Sequence, residues 1–171
     1  MSEFTHLDQA GRLHMVEVGD KPVTLRRATA TCRILVGPRI YPRLMAADLP
    51  KGDVWAAARL AGIMAAKNTA QLIPLCHPLP LTGVDIDFVP EPETQAVAIR
   101  AKVSTRGRTG VEMEALVAAS VAALTIYDMC KALDRGMIIT DLVLVEKSGG
   151  ASGEYHREPS GTSLKRAGHG T

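Results

Sequence analysis

The order of patterns along this chain predicts an α+β fold of the ferredoxin-like, split βαβ kind: an antiparallel sheet with helices on one face, plus an N-terminal extension. Three observations carry that expectation. Period-two alternation recurs in four separate stretches, two longer stretches have helical patterning, and the order is strand, helix, strand, strand, helix, strand. The first strand is read from Ala28, Ala30, Cys32, Ile34 and Val36 alternating with Thr29, Thr31 and Arg33, and Gly37-Pro38 ends it. The proline-punctuated segment from Gly37 to Leu49 receives no element. Asp53 suits the N-cap of a helix running from about Val54 to Leu72, which Pro74, Pro78 and Pro80 then break. Val84, Ile86 and Phe88 alternate with Asp85 and Asp87 as a second strand. The turn-like PEPETQ joins it, as a hairpin, to a third strand carrying Val97, Ile99, Ala101 and Val103. A long helix is expected over Val111 to Leu133 and a last strand over Ile138 to Glu146, with a further N-terminal strand possible around Leu13 to Val18.

Size and composition narrow the function. At 171 residues the chain reads as one domain over residues 1–155, and the Gly- and Ser-rich tail 156–171 is expected to be disordered. Lys plus Arg exceed Asp plus Glu by only two (20 against 18), without a basic run, so the electrostatic footprint of a nucleic-acid binder is missing. The inferred strands also carry too few aromatics for base stacking, which argues against an RNA-binding module. Hydrophobic residues are 46% of the chain but aromatics only 4%, so the core must be built from Ala, Val, Leu, Ile and Met. The polar N-terminus does not read as a signal peptide, and no apolar run is expected to span a membrane, so a cytoplasmic protein is expected. Three cysteines without C-x-x-C spacing indicate neither a disulfide framework nor a thiolate zinc site, and they are expected to be small buried hydrophobes. No metal site is expected.

The chemistry concentrates on the ends of the long helix. VEMEALVAASVAALTIYDMCKAL is apolar almost all round, a pattern that calls for cover on several sides and points to another subunit. Its ionisable groups are confined to the tips: Glu112 and Glu114 at the start, Asp128 and Lys131 near the end. Asp128 and Lys131 lie one turn apart, either as an acid/base pair or as an ordinary helix salt bridge. Thr109 and Glu112 fit a capping box, while Arg106 and Arg108 approach a helix start where free amides favour phosphate. His77, fixed between prolines in Leu75-Cys76-His77-Pro78, can hydrogen-bond a ligand. Glu114 and Asp128 stand fourteen residues apart, about 21 Å along a helix. One reacting atom cannot be reached from both, so a site that uses both lies between subunits or holds an extended ligand.

The strings KGDVWAAARLAGIMAAKNTAQLIPLCHPLPL and TGVEMEALVAASVAALTIYDMCKAL, followed by KSGGASGEY, closely resemble the cyclic pyranopterin monophosphate synthases, the molybdenum cofactor biosynthesis protein C family. The resemblance covers about Thr5 to Tyr155. It implies a homohexamer, a trimer of dimers, with a small-molecule nucleotide substrate at the subunit interface. The implied reaction converts 3′,8-cyclo-7,8-dihydro-GTP to cyclic pyranopterin monophosphate and diphosphate. By the resemblance, Asp128, Lys131 and Lys51 are catalytic, and Leu75, Cys76, His77, Glu112, Met113 and Glu114 bind substrate. Arg26, Lys67, Arg108 and Lys147 are implied triphosphate contacts. No cofactor is implied, and whether magnesium accompanies the triphosphate stays open. The chain departs from the family pattern at Ala151, where many relatives are expected to carry a lysine.

A lysine acting as base near neutral pH needs its pKa lowered, and a nearby Asp128 would raise it, so Lys51 is expected to approach Lys131 across the site. The competing reading is a regulatory oligomer that binds a nucleotide without chemistry.

Overall fold

The computed structural model describes residues 6–7 and 10–158. Within them a five-stranded sheet has the order β2-β3-β1-β4-β5 with every neighbouring pair antiparallel. The strands are β1 (Thr24–Leu35), β2 (Leu81–Glu91), β3 (Ala96–Gly107), β4 (Ile138–Ser148) and the two-residue β5 (Tyr155–His156). Helices α1 (Gly37–Met45), α2 (Val54–Lys67), the single turn α3 (Thr69–Leu72) and α4 (Glu112–Cys130) complete the fold. The first four strands and the crossovers through α2 and α4 make the expected ferredoxin-like arrangement. β2 and β3 form the expected hairpin, closed by a 3-10 turn at Pro92–Thr94 and by Gln95 at φ 50.

The core follows from the alternation. Ala28, Ala30, Cys32 and Ile34 on β1, with Val97, Ile99, Ala101 and Val103 on β3, are buried against the helices. α4 meets that face with Ala115, Ala118, Ala119, Ala122, Ala123 and Ile126, all 0% exposed. The alanines of α4 pack against a sheet face that mixes Ala28, Ala30 and Ala101 with the larger Ile34, Val97 and Ile99. Trp55 and Phe88, 5.1 Å apart between ring centroids, close the other flank where α2 crosses β2. The opposite face of the sheet is polar. Glu146 there accepts from Thr29 Oγ1 at 2.9 Å and lies 3.6 Å from Arg100, across β1 and β3.

Several sequence expectations are corrected. The unassigned segment contains α1, because Pro38 falls in the first turn, where its missing amide costs nothing, and burial of Ile40 and Leu44 outweighs the bond lost at Pro42. The helix expected to reach Leu72 breaks at Asn68, whose Nδ2 donates to the Met64 carbonyl at 2.9 Å, and α3 follows as a separate turn. Leu13 to Val18 is irregular apart from an isolated Leu7–Leu13 bridge. The expected boundary at 155/156 falls inside β5, which pairs with β4 at Glu146 and Lys147, and residues 159–171 lie outside the described part. Of the cysteines, Cys32 and Cys130 are buried, with burial pushing the Cys32 thiol up to about 11, but Cys76 is half-exposed. Contrary to expectation, α4 is long and apolar enough, at 19 residues and mean hydropathy 1.4, to cross a membrane by length and composition. Its packing under the sheet makes it instead the core helix of this fold.

Gly62 on α2 tests how tight the helical layer is. A Cβ there would lie 2.3 Å from Ile86 Cδ1 and 2.9 Å from the Ala118 carbonyl of α4. Helix propensity alone favours alanine over glycine by about 1 kcal/mol, but overpacking against backbone costs roughly 1–3 kcal/mol. Gly62→Ala is therefore expected to lower the chemical denaturation midpoint, and a raised midpoint would show that the two helices have room to separate.

Candidate functional site

Local structure brings the candidate side chains together in two groups, one at each end of α4. The first lies at its C-terminus. Gly52, at φ +88, turns the chain into α2, and the Asp53 carboxylate caps that helix by accepting from the Ala56 amide at 3.0 Å. This anchored turn delivers Lys51 to the end of α4, where its Nζ donates to the Asp128 carbonyl at 2.8 Å and lies 3.6 Å from Asp128 Oδ2. Lys131 Nζ is 2.6 Å from Asp128 Oδ1. The two ammonium groups thus share one carboxylate. All three side chains remain open to solvent, Asp128 at 60% exposure, so the group is accessible to a ligand.

The second group surrounds the N-terminus of α4. Helix α2 runs antiparallel to α4, so Lys67 at its far end lines a cleft with His77 and Glu114. A neighbouring cleft of about 490 Å³ is lined by Leu75, Cys76, His77, Glu112, Met113 and Glu114. The N-terminal extension supplies another wall of it through Val16, Val18 and Lys21. Sequence reasoning missed these three, since an irregular segment has no periodicity to mark which side chains face inward. Lys147, near the end of β4, approaches Glu112 Oε1 at 3.5 Å and donates to Ser152 Oγ at 2.5 Å. Arg26 on β1 is nearly buried and donates through Nη2 to the Arg108 carbonyl at 3.2 Å. The Arg108 side chain is itself tied to the Gly19 carbonyl, while Arg106 is exposed.

The capping box is not formed. The N-cap is Val111, without a side-chain bond, so Thr109 lies two residues before the cap and Glu112, at the first helical position rather than the third, lies 3.5 Å from Lys147. The first turn of α4 therefore has no side-chain oxygen at its N-cap, in a region that also holds Arg26 and Lys147. That combination of cations and helix amides suits a phosphate chain. The larger depression of about 550 Å³, on the polar face of the sheet, holds none of the predicted catalytic residues, and its Arg100 and Glu146 pair with each other. Among the described residues no group of three His, Cys, Asp or Glu side chains converges as a metal site.

The electrostatics differ between the ends. Asp128 is held below the ordinary carboxylate range, first by the hydrogen bond and charge of Lys131 and then by Lys51. Glu114 is shifted the other way: burial raises it, the neighbouring Glu112 adds to the rise, and a hydrogen bond from its own backbone amide opposes it. One end thus holds a carboxylate below its ordinary range between two amines, and the other holds a carboxylate above it. Such oppositely tuned pairs are typical of acid/base sites. The distance between them is fixed by the helix at about 21 Å over fourteen residues, so no single protomer brings them to one atom.

The comparisons with known proteins are in line with this geometry. A model of the MoaC family matches residues 15–150. A cyclic pyranopterin monophosphate synthase of Roseiflexus sp. (strain RS-1) is 59% identical over 155 residues, covering 91% of this chain and 98% of that protein. Proteins of the same name from Pelotomaculum thermopropionicum and Geobacillus thermodenitrificans are 55% identical over 158 residues and 56% identical over 160. Each alignment covers 92% of this chain, with 93% and 99% of the relative.

The Asp128 shift yields a test. Its folded value lies below the unfolded one, so whatever stability the three-residue group contributes is present above the ordinary carboxylate range and is lost as pH falls through the lowered value. Carboxyl NMR of Asp128 is expected to show a midpoint below 3.8, moving upward in Lys131→Ala and less in Lys51→Ala. An unchanged midpoint in Lys131→Ala would contradict the assignment of the larger effect to Lys131.

Proposed function

The chain belongs to the MoaC family, and from that premise we propose that it carries out the cyclic pyranopterin monophosphate synthase reaction of molybdenum cofactor biosynthesis. In this reading the enzyme is a phosphorus–oxygen lyase of the cytoplasm. It converts (8S)-3′,8-cyclo-7,8-dihydroguanosine 5′-triphosphate to cyclic pyranopterin monophosphate and diphosphate. The observation that carries the assignment of roles is the convergence of Lys51 and Lys131 on one ionised, exposed carboxylate.

Opening and reclosing the ring system of the substrate demands several proton transfers, which Asp128, Lys131 and Lys51 are placed to exchange. Forming the cyclic phosphate breaks the bond to diphosphate, and the departing charge needs neutralisation. Arg26, Lys147 and the open start of α4 supply it, with Lys67 and Arg108 nearby. Leu75, Cys76, His77 and Met113 wall the ligand, while Glu112 orients Lys147 and Glu114, largely buried, contributes to the same wall. The conversion rearranges bonds already present, so the reading calls for no redox cofactor, and any magnesium enters with the triphosphate as part of the substrate.

The separation of the two groups leads to the assembly. We propose that each working site pairs the Lys51–Asp128–Lys131 end of one protomer with the Glu114 and His77 end of its partner, within a homohexamer built as a trimer of dimers. The partly uncovered helical layer, where Leu60, Met64 and Leu124 are more than half exposed, is apolar surface that such an assembly can bury.

Diphosphate release from the cyclised nucleotide is the direct test, and binding without release would instead favour a regulatory nucleotide-binding oligomer. Asp128→Asn and Lys131→Ala are each expected to lower kcat by about 10²-fold or more, with little change in Tm because exposed ion pairs contribute little. An ordinary helix salt bridge predicts an unchanged kcat. Co-refolding Lys131→Ala with His77→Ala chains is expected to regenerate intact sites and recover activity to about a quarter of wild type for random re-pairing in dimers. Sites completed within one chain would give no recovery.

A further inference from the structure

We infer that Gly149 and Gly150 are positioning residues that set the Arg26 guanidinium toward the triphosphate end of the site, an inference that rests on the proposed function. Arg26 is only 8% exposed, and its Nε, buried from water, has no hydrogen-bond partner. Its one hydrogen bond runs from Nη2 to the Arg108 carbonyl, and no carboxylate pairs with it among the described residues. A cation so enclosed and so poorly satisfied is costly unless something brings it a negative charge. Lys147 shows the contrast, since it already has both Glu112 and Ser152.

What encloses Arg26 is the backbone after β4. Gly149 and Gly150 have φ values of +93 and +81, the left-handed region that favours glycine. A Cβ on Gly149 would lie 2.1 Å from the Leu25 carbonyl of β1, which cannot give way without breaking the sheet. A Cβ on Gly150 would lie 1.7 Å from Arg26 Nη1 and 2.4 Å from the central carbon of the guanidinium. The Gly150 backbone therefore lies directly against the guanidinium, at a separation no side chain tolerates. The loop is clamped at both ends, by the Arg27–Ser148 pairing of β1 with β4 and the Lys147–Tyr155 pairing of β4 with β5, and Gly153 N bonds Gly150 O at 3.2 Å within it. The flexible partner in any clash is thus the Arg26 side chain. A substitution at Gly150 moves the cation without removing it, while Lys131 and Asp128 at the far end of α4 stay in place.

A double-mutant cycle on the assembled enzyme tests this, with diphosphate release from the cyclised nucleotide as the assay. Arg26→Ala and Gly150→Ala are each expected to raise KM by roughly ten- to a hundredfold, the loss of a hydrogen bond to a charged group, and to change kcat much less. The double variant is expected to be no worse than Arg26→Ala alone. Independent, multiplicative effects, or a Gly150→Ala enzyme with unchanged KM, would overturn the inference. If Gly150→Ala fails to fold, thermal melts of the double variant decide instead: removing the guanidinium clears the space, so folding should return, and a double variant that also fails to fold would overturn the inference. Failure of the wild-type enzyme to release diphosphate would sink the proposed function itself.

Discussion

The structure depends on the packing of α4 beneath the sheet. Ala115, Ala118, Ala119, Ala122 and Ala123 have no exposed surface and pack against a sheet face of Ala28, Ala30, Cys32, Ile34, Val97, Ile99, Ala101 and Val103, so the face of the helix turned to the sheet admits no charge. Ionisable groups are kept off that face, and Glu112, Glu114 and Asp128 stand near the helix ends. The same packing makes α4 rigid, so the ends are held at a fixed separation. Helix α2, lying alongside with Gly62 at the closest approach, repeats the arrangement by carrying Lys51 to one end and Lys67 to the other. Two chemically distinct groups of side chains, one at each end of α4, result, and the proposed function reads each as half of a site.

Each half-site is incomplete in its own way. At the C-terminal end an accessible carboxylate lies between two amines, a group with proton-exchanging chemistry but little enclosure. At the N-terminal end there is a cleft, a largely buried Glu114 raised above its ordinary range, a first turn without a side-chain cap and a nearly buried Arg26 that has no counter-charge among the described residues. That end has enclosure and positive charge but lacks a lysine–aspartate pair. In the proposed assembly, placing one end of one protomer against the other end of a second completes both, and a triphosphate would bring Arg26 the negative charge it lacks among the described residues.

Much of this was legible in the sequence because period-two alternation and the Asp53 cap are local signals that packing reinforces. Segment α1 was not, since Pro38 and Pro42 read as breakers until the burial of Ile40 and Leu44 is known. The capping box at Thr109 failed because the helix starts at Glu112 with Val111 as its N-cap, two residues beyond the start that the Thr109–Glu112 spacing implied. At the site, the Asp128–Lys131 pair follows from helical spacing. The approach of Lys51 across 77 residues was expected only through the family resemblance and the lysine count. The N-terminal wall of Val16, Val18 and Lys21 and the seat of Arg26 on Gly149–Gly150 depend on backbone geometry that no residue pattern encodes.

The claim that a working site needs two protomers is tested most directly by sedimenting the active enzyme through substrate and following diphosphate release as the protein migrates. Activity is expected to travel only with species of two or more subunits and to disappear on dilution to single chains. Full activity sedimenting as a single 18.2 kDa chain would contradict the account.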